Sequence, residues 1–224
     1  METPDQKYER RRPGLPGDLR ARSAAWRPIS GGGPTLLVPV DPDLTKWTVF
    51  ELAGHFDIAI GLTRMLIAGR EDAQPARDRT SFFINPRSET GPVVYAYAYT
   101  MVEGKTPADM PGVLAETFTK TIAEARAVPA SLVGPGYFAP MRVDEFVASR
   151  IVEAVIHGID LAQALGTPYF ATADGIAVTA SILDDLLARR TTGRRPAELS
   201  DDMDWILAAS GRAESSDNRL PLIG

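Results

Sequence analysis

The sequence predicts a mainly α protein, most simply an antiparallel helical bundle. Three segments carry the prediction. A capping-box pair, Thr48 and Glu51, opens a run with apolar residues at helical spacing up to Gly69. The stretch from Arg142 to Leu165 is closed by Gly166 and then Pro168, the order expected at a helix C-terminus. Ala173 to Arg190 repeats the helical period with Ile176, Ala177, Ala180, Leu183, Leu186 and Leu187. Helices joined by long connections form a bundle by burying one face each against their neighbours.

Residues 1–43 read as an irregular N-terminal segment. Residues 1–46 hold seven prolines and the joint Gly31-Gly32-Gly33. The segment has room for one short helix over Asp18–Trp26, stopped by Pro28, and an extended piece over Thr35–Val40. The basic cluster Tyr8–Arg12 reads as a solvated polar end.

The bundle itself is expected over residues 44–190. Its first helix runs from Thr48 to Ala68 with Leu52, Phe56, Ala59, Ile60 and Thr63 inward. Residues 70–92, punctuated by Pro75, Pro86 and Gly91-Pro92, read as a loop. Val93–Val102 is open: the alternation Tyr95-Ala96-Tyr97-Ala98-Tyr99 favours a strand, and the helical neighbours favour a helix. Asp109–Ala127 reads as a helix with Pro111 in its first turn and Val113, Leu114, Phe118, Ile122 and Ala125 inward. Residues 129–140 read as a loop. Residues 191–224 form a C-terminal extension packing on the bundle, with a short helix over Asp201–Ser210 stopped by Gly211.

Composition narrows the function. Of 224 residues 44% are hydrophobic, enough for a sizeable core, and the net charge is −5. That balance argues against a general nucleic-acid binder or a protein of anionic membrane surfaces. No segment has the apolar length of a membrane span. The start is charged and lacks an apolar run, so no leader is expected. The chain has no cysteine, which removes disulfides and a cysteine nucleophile and fits the reducing cytoplasm. Any sulfur chemistry needs a thiol from outside.

The chain has two histidines. His157 follows Glu153 by one helical turn, and His55 follows Glu51 by one turn on a separate helix. At about 100° per residue, Arg150, Glu153, His157 and Asp160 share a stripe of roughly 80°. The rest of that helix is apolar, so most of its circumference is buried. The stripe has two readings. It is a solvent face on which Arg150 and Glu153 form an ordinary ion pair, or it lines a polar cavity in the bundle. In the second reading His55, Glu153 and His157 make a three-ligand divalent metal site. Two imidazoles and a carboxylate suit zinc, and an open fourth position is the mark of a catalytic ion. Asp160 or Glu51 would orient a ligand imidazole, and Arg150 would balance the carboxylates or hold an acidic substrate.

The segment Trp47-Thr48-Val49-Phe50-Glu51-Leu52-Ala53-Gly54-His55 resembles the W-T-V-x-x-L-x-x-H opening of the mycothiol-dependent maleylpyruvate isomerase family, which belongs to the DinB-like metal-binding four-helix bundles. Arg150–Gly166 resembles its R-x-x-E-x-x-x-H-x-x-D-L-x-x-A-L-G helix. Trp205–Arg212 followed by Arg219-Leu220-Pro221-Leu222 is similar to its W-x-x-x-x-x-G-R … R-L-P-L ending. The resemblance spans about residues 44–224. It implies a DinB-like antiparallel four-helix bundle, a metal (usually zinc) on His55, Glu153 and His157, and mycothiol as the thiol activated there. The implied chemistry is addition of that thiol to an electrophilic small molecule, leading to isomerisation or S-transfer.

The chain also departs from this pattern. Members carry a long helix before the tryptophan; here that stretch is rich in proline and glycine. The first wall is then thin, replaced by loop, or supplied by a second copy in a homodimer. The characterised isomerase has a further C-terminal α/β domain with a substrate-binding arginine, and the residues after Arg190 are too few for it. Arg212 is left as either an anion-binding residue or a structural one at a helix end. Two other expectations compete with the enzyme: a non-catalytic metal- or small-molecule-binding protein, and a structural interaction protein.

Overall fold

A computed structural model of the chain describes residues 47–84, 87–169 and 171–223, with the backbone alone at 87–93 and 95. The expected helix over Asp18–Trp26, the extended piece over Thr35–Val40 and the question of the bundle's first wall lie outside the described residues. Within them the protein is a mainly α bundle of six helices. No helix among the described residues is long and apolar enough to cross a membrane.

Helix α1, Val49–Ala68, starts as the sequence dictates. The Glu51 amide donates to Thr48 Oγ1 at 3.3 Å, and the Thr48 amide donates to the Glu51 carboxylate at 2.7 Å. The helix ends at Gly69, whose N–H caps the last turn. It is the central element, packed on α2 (Arg87–Val102), α3 (Met110–Arg126) and α4 (Val143–Leu165). Burial therefore extends around α1, taking in His55 and Asp57 as well as Leu52, Phe56, Ala59 and Leu66.

Contacts along α1 fix the helix directions. Toward α4, Leu52 shares a cluster with Leu161, His55 meets Glu153, and Leu66 packs with Phe146, so the two helices run antiparallel. Toward α3, Ala53 clusters with Met110, Asp57 meets Thr117 and Arg64 pairs with Glu124 at 2.7 Å, so these two run in the same direction. The contact face of α3 centres on Thr117, Phe118 and Thr121. Ile122, expected inward, is 45% exposed because it lies one residue's rotation off that face.

Two segments read as loops contain regular structure. Helix α2 begins at Arg87 and runs past Gly91 and Pro92, inside the expected 70–92 loop, and it settles Val93–Val102 as helix rather than strand. The buried positions Ala98 and Val102 are four apart, the helical spacing, and tertiary packing outweighs the weak local propensity. At their contact with α1, a Cβ on Gly54 would lie 2.6 Å from both the Ala98 carbonyl oxygen and Val102 Cγ1, so the two helices approach this closely only over a glycine. The 129–140 loop holds strand β1, Val133–Pro135, paired antiparallel with β2, Pro140–Arg142, in the register Gly134 to Met141. The hairpin packs on the end of α1 at Leu66 and leads directly into α4.

Helix α4 closes at Gly166 in the left-handed conformation, φ 63°, as its Gly and Pro foretell. Helix α5, Ala173–Thr191, is capped by Thr172 Oγ1, which accepts the Gly175 amide at 3.1 Å. Its inward face is Thr179, Ala180, Ile182, Leu183, Leu186 and Leu187, while Ala177, expected inward, is exposed. Helix α6, Asp202–Ala209, starts on the Asp201 carboxylate and sends Trp205, Ile206 and Ala209 into a core shared by α4 and α5. Each fully buried large apolar side chain there stabilises the fold by roughly 1.5–3 kcal/mol.

Candidate metal centre

Antiparallel packing of α1 on α4 brings together side chains far apart in the sequence. His55 comes from α1, and Glu153 and His157 from successive turns of α4. Glu153 Oε2 lies 3.4 Å from His55 Nε2 and 3.2 Å from His157 Nε2. The two imidazole rings stand edge to face with centroids 4.7 Å apart. The three donor atoms lie within 4.8 Å of one another. All three side chains are largely shielded, at 10%, 18% and 16% exposure for His55, Glu153 and His157.

The other predicted residues fall into two groups. Asp160, on the next turn of α4, reaches His157 Nδ1 at 3.0 Å. Arg212, which follows α6, donates twice to Asp160, from Nε at 2.9 Å and Nη2 at 2.7 Å. Of the two readings left open for Arg212, this buried ion pair with Asp160 matches the structural one. Arg150 turns away from the cluster. It lies between the Phe82 and Phe146 rings, 4.5 and 4.8 Å from their centroids, and donates to Ser149 Oγ and the Ala59 carbonyl. It is 6% exposed, which overturns the solvent-face reading of the stripe and the Arg150–Glu153 ion pair that went with it. Glu51 orients no ligand: its carboxylate is held by the Thr48 amide, and His55 Nδ1 is buried with no hydrogen-bond partner among the described residues.

Sequence reasoning gave Trp47 no role of its own. Its ring lies 4.7 Å from that of His55 and 6.3 Å from that of His157, forming part of the wall of the site. Its place at the head of the segment ending in His55 was the available signal. Phe82, which flanks Arg150 from the connection between α1 and α2, left none.

Electrostatics follow from the contacts. Burial pushes the Glu153 carboxyl up, but hydrogen bonds from His157 and His55, with the charge of Arg150, hold it well below the ordinary range. Asp160 is likewise raised by burial and lowered, on balance, by His157 and Arg212. Burial lowers His55, and its contact with Glu153 does not make up the difference. For His157 burial also works downward, yet the bonds to Asp160 and Glu153 prevail and its pKa is raised. Asp160 is an acceptor only, so His157 Nδ1 carries a hydrogen, and Nε2 is the nitrogen that faces Glu153. A neutral Nε2 and a carboxylate oxygen 3.2 Å apart repel unless a cation lies between them. A proton fills that role in the raised-pKa imidazolium, and a metal ion would fill it equally.

The donor set fits a borderline divalent ion. A tetrahedral ion with ligands about 2.0–2.2 Å away spaces its donors about 3.4 Å apart; the two glutamate–imidazole spacings are 3.4 and 3.2 Å, and the two imidazole nitrogens lie within 4.8 Å of each other. Three protein donors leave one position for an outside ligand.

The fold and site thus define a helical-bundle protein with a candidate two-histidine, one-glutamate metal centre. The model of the mycothiol maleylpyruvate isomerase N-terminal domain matches residues 39–162, more than half of the chain, and the chain belongs to that family. The match takes in all three candidate ligands and Asp160, and ends ahead of Arg212. No curated protein matches the chain, and no solved structure does.

Proposed function

We propose that this protein is a metal-dependent enzyme that uses a low-molecular-weight thiol, mycothiol, to attack an electrophilic small molecule, with isomerisation or S-transfer as the outcome. The convergence of His55 Nε2, His157 Nε2 and Glu153 Oε2 from two helices carries the reading. Family membership supports mycothiol as that thiol, and the chain has no cysteine of its own to serve in its place. Zinc is the ion this donor set suits best, and when bound it would supply a Lewis acid able to hold a thiol as its thiolate near neutral pH.

The protein's own residues do the rest. Asp160 holds the His157 hydrogen on Nδ1, leaving Nε2 for the site. Arg150, seated away from the donor atoms, adds a buried positive charge whose field favours the ionised Glu153. Trp47 and the surrounding apolar helices keep the cluster largely out of water, which strengthens every charge interaction inside it. On this reading the protein works in the cytoplasm, and its partners are the thiol and its electrophilic substrate.

The test has two parts. Untagged protein should carry one zinc per chain, and the zinc form should consume an electrophile only when mycothiol is present. Zinc binding with no thiol-dependent turnover would reduce the function to binding alone. A chain that takes up no divalent ion would overturn the proposal.

A further inference from the structure

We propose that Arg212 is a positioning residue for the metal centre, so that the C-terminal segment and the ion stabilise one another. This rests on the metal reading above. The continuous path runs from Arg212 through Asp160 to His157 and ends at Glu153. Arg212 is fixed at its own end. Gly211, at φ 73°, turns the chain out of α6, and the Arg212 amide donates to the Leu207 carbonyl at 2.7 Å. Its third guanidinium nitrogen, Nη1, donates to the Ser210 carbonyl at 2.6 Å. Trp205, Ile206 and Ala209 anchor the helix just before it in the core.

The geometry separates positioning from simple anchoring. Arg212 and Asp160 are 5% and 2% exposed, so the pair is shielded from water and its two parallel bonds allow the carboxylate one orientation. Asp160 Oδ2 takes both the Arg212 Nη2 bond and the His157 Nδ1 bond. Swinging that carboxylate therefore swings the imidazole. Lysine would keep the charge and lose the two-pronged hold.

Reciprocity makes the claim testable without turnover. If a docked Arg212 tightens ion binding, the ion must tighten docking by the same factor. Zinc dissociation constants would be measured by competition with a chromophoric chelator for the wild type, Arg212→Lys and Arg195→Lys. Arg195 ties the same segment through Asp184 and Asp202, at 2.7 Å each, and touches neither Asp160 nor the candidate ligands. Arg212→Lys should weaken zinc about 10- to 100-fold, and Arg195→Lys should leave it unchanged. In the wild type, zinc should slow amide exchange at Arg212 and Ala213, both bonded to the Leu207 carbonyl. A folded Arg212→Lys with wild-type affinity, equal weakening in both variants, or zinc saturation with no change in exchange at those amides would each overturn the proposal. If Arg212→Lys does not fold, the exchange measurement decides alone. A wild type that binds no zinc overturns the metal reading, and this inference with it.

Discussion

Asp160 meets His157 Nδ1 at 3.0 Å, and this contact decides which nitrogen of the imidazole faces Glu153. The carboxylate can only accept, so the hydrogen stays on Nδ1 and Nε2 belongs to the site. Asp160→Asn weakens that preference, since an amide can donate as well as accept. The variant should bind zinc about 10- to 100-fold more weakly, read by chelator competition on protein whose circular dichroism matches the wild type. Equal affinities would mean that the contact does not orient the ligand.

Ion binding should depend on pH with a defined sign. The His157 pKa is raised, so in the ion-free protein a proton holds Nε2 up to a pH above the ordinary histidine value. A metal must displace that proton. Affinity should therefore fall as pH drops through the raised pKa and level off above it. Calorimetric titrations in buffers of different ionisation enthalpy would show proton release below that pKa. Affinity flat across the histidine range would contradict the assignment.

Stability should change with acid at a second place. Asp78 accepts two bonds from Arg189, at 3.0 and 2.8 Å, tying the connection after α1 to α5. Burial pushes its carboxyl up, while Arg189 and the Ser81 amide pull it down, on balance to about 2. A depressed folded pKa gives stability that is present above the unfolded value and lost as pH falls through the folded one. Both side chains are 42% exposed, so the pair is worth about 1 kcal/mol or less. Asp78→Asn should lower the urea midpoint at pH 6 and lose most of that effect by pH 2. An equal deficit at both would show that the ion pair is not its source.

Gly54→Ala tests the close crossing of α1 and α2. Alanine is the better helix former by about 1 kcal/mol. The new methyl group, however, would meet the Ala98 carbonyl and Val102 at 2.6 Å. One obstacle is backbone and cannot rotate away, so overpacking should win and destabilise by about 1–3 kcal/mol. Denaturant unfolding measures it, and a stabilised variant would refute the crossing.

How much was legible depended on the range of the interaction. The Thr48–Glu51 box and the Gly166 cap are local, and the helices they bound sit within a residue of the expected limits. The pairing of Glu153 with His157 is one helical turn, so its spacing showed. His55 enters the cluster as the chain's other histidine, one turn after Glu51, and the family resemblance strengthens that grouping; no local spacing joins residues 98 apart. The start of α2 at Arg87 was hidden behind Gly91 and Pro92, residues that read locally as turn signals. Arg150 was placed on the correct stripe, but its seat between Phe82 and Phe146 depends on a distant connection that spacing does not encode. Asp160 and Arg212 each stood in a motif, but they lie 52 residues apart and no sequence spacing paired them.

The most direct measurement is the metal content of untagged wild type and His157→Ala, determined by elemental analysis after extensive dialysis. One divalent ion per wild-type chain and none in the folded variant is the predicted result. A full equivalent retained by His157→Ala, or none in the wild type, would contradict the three-ligand centre.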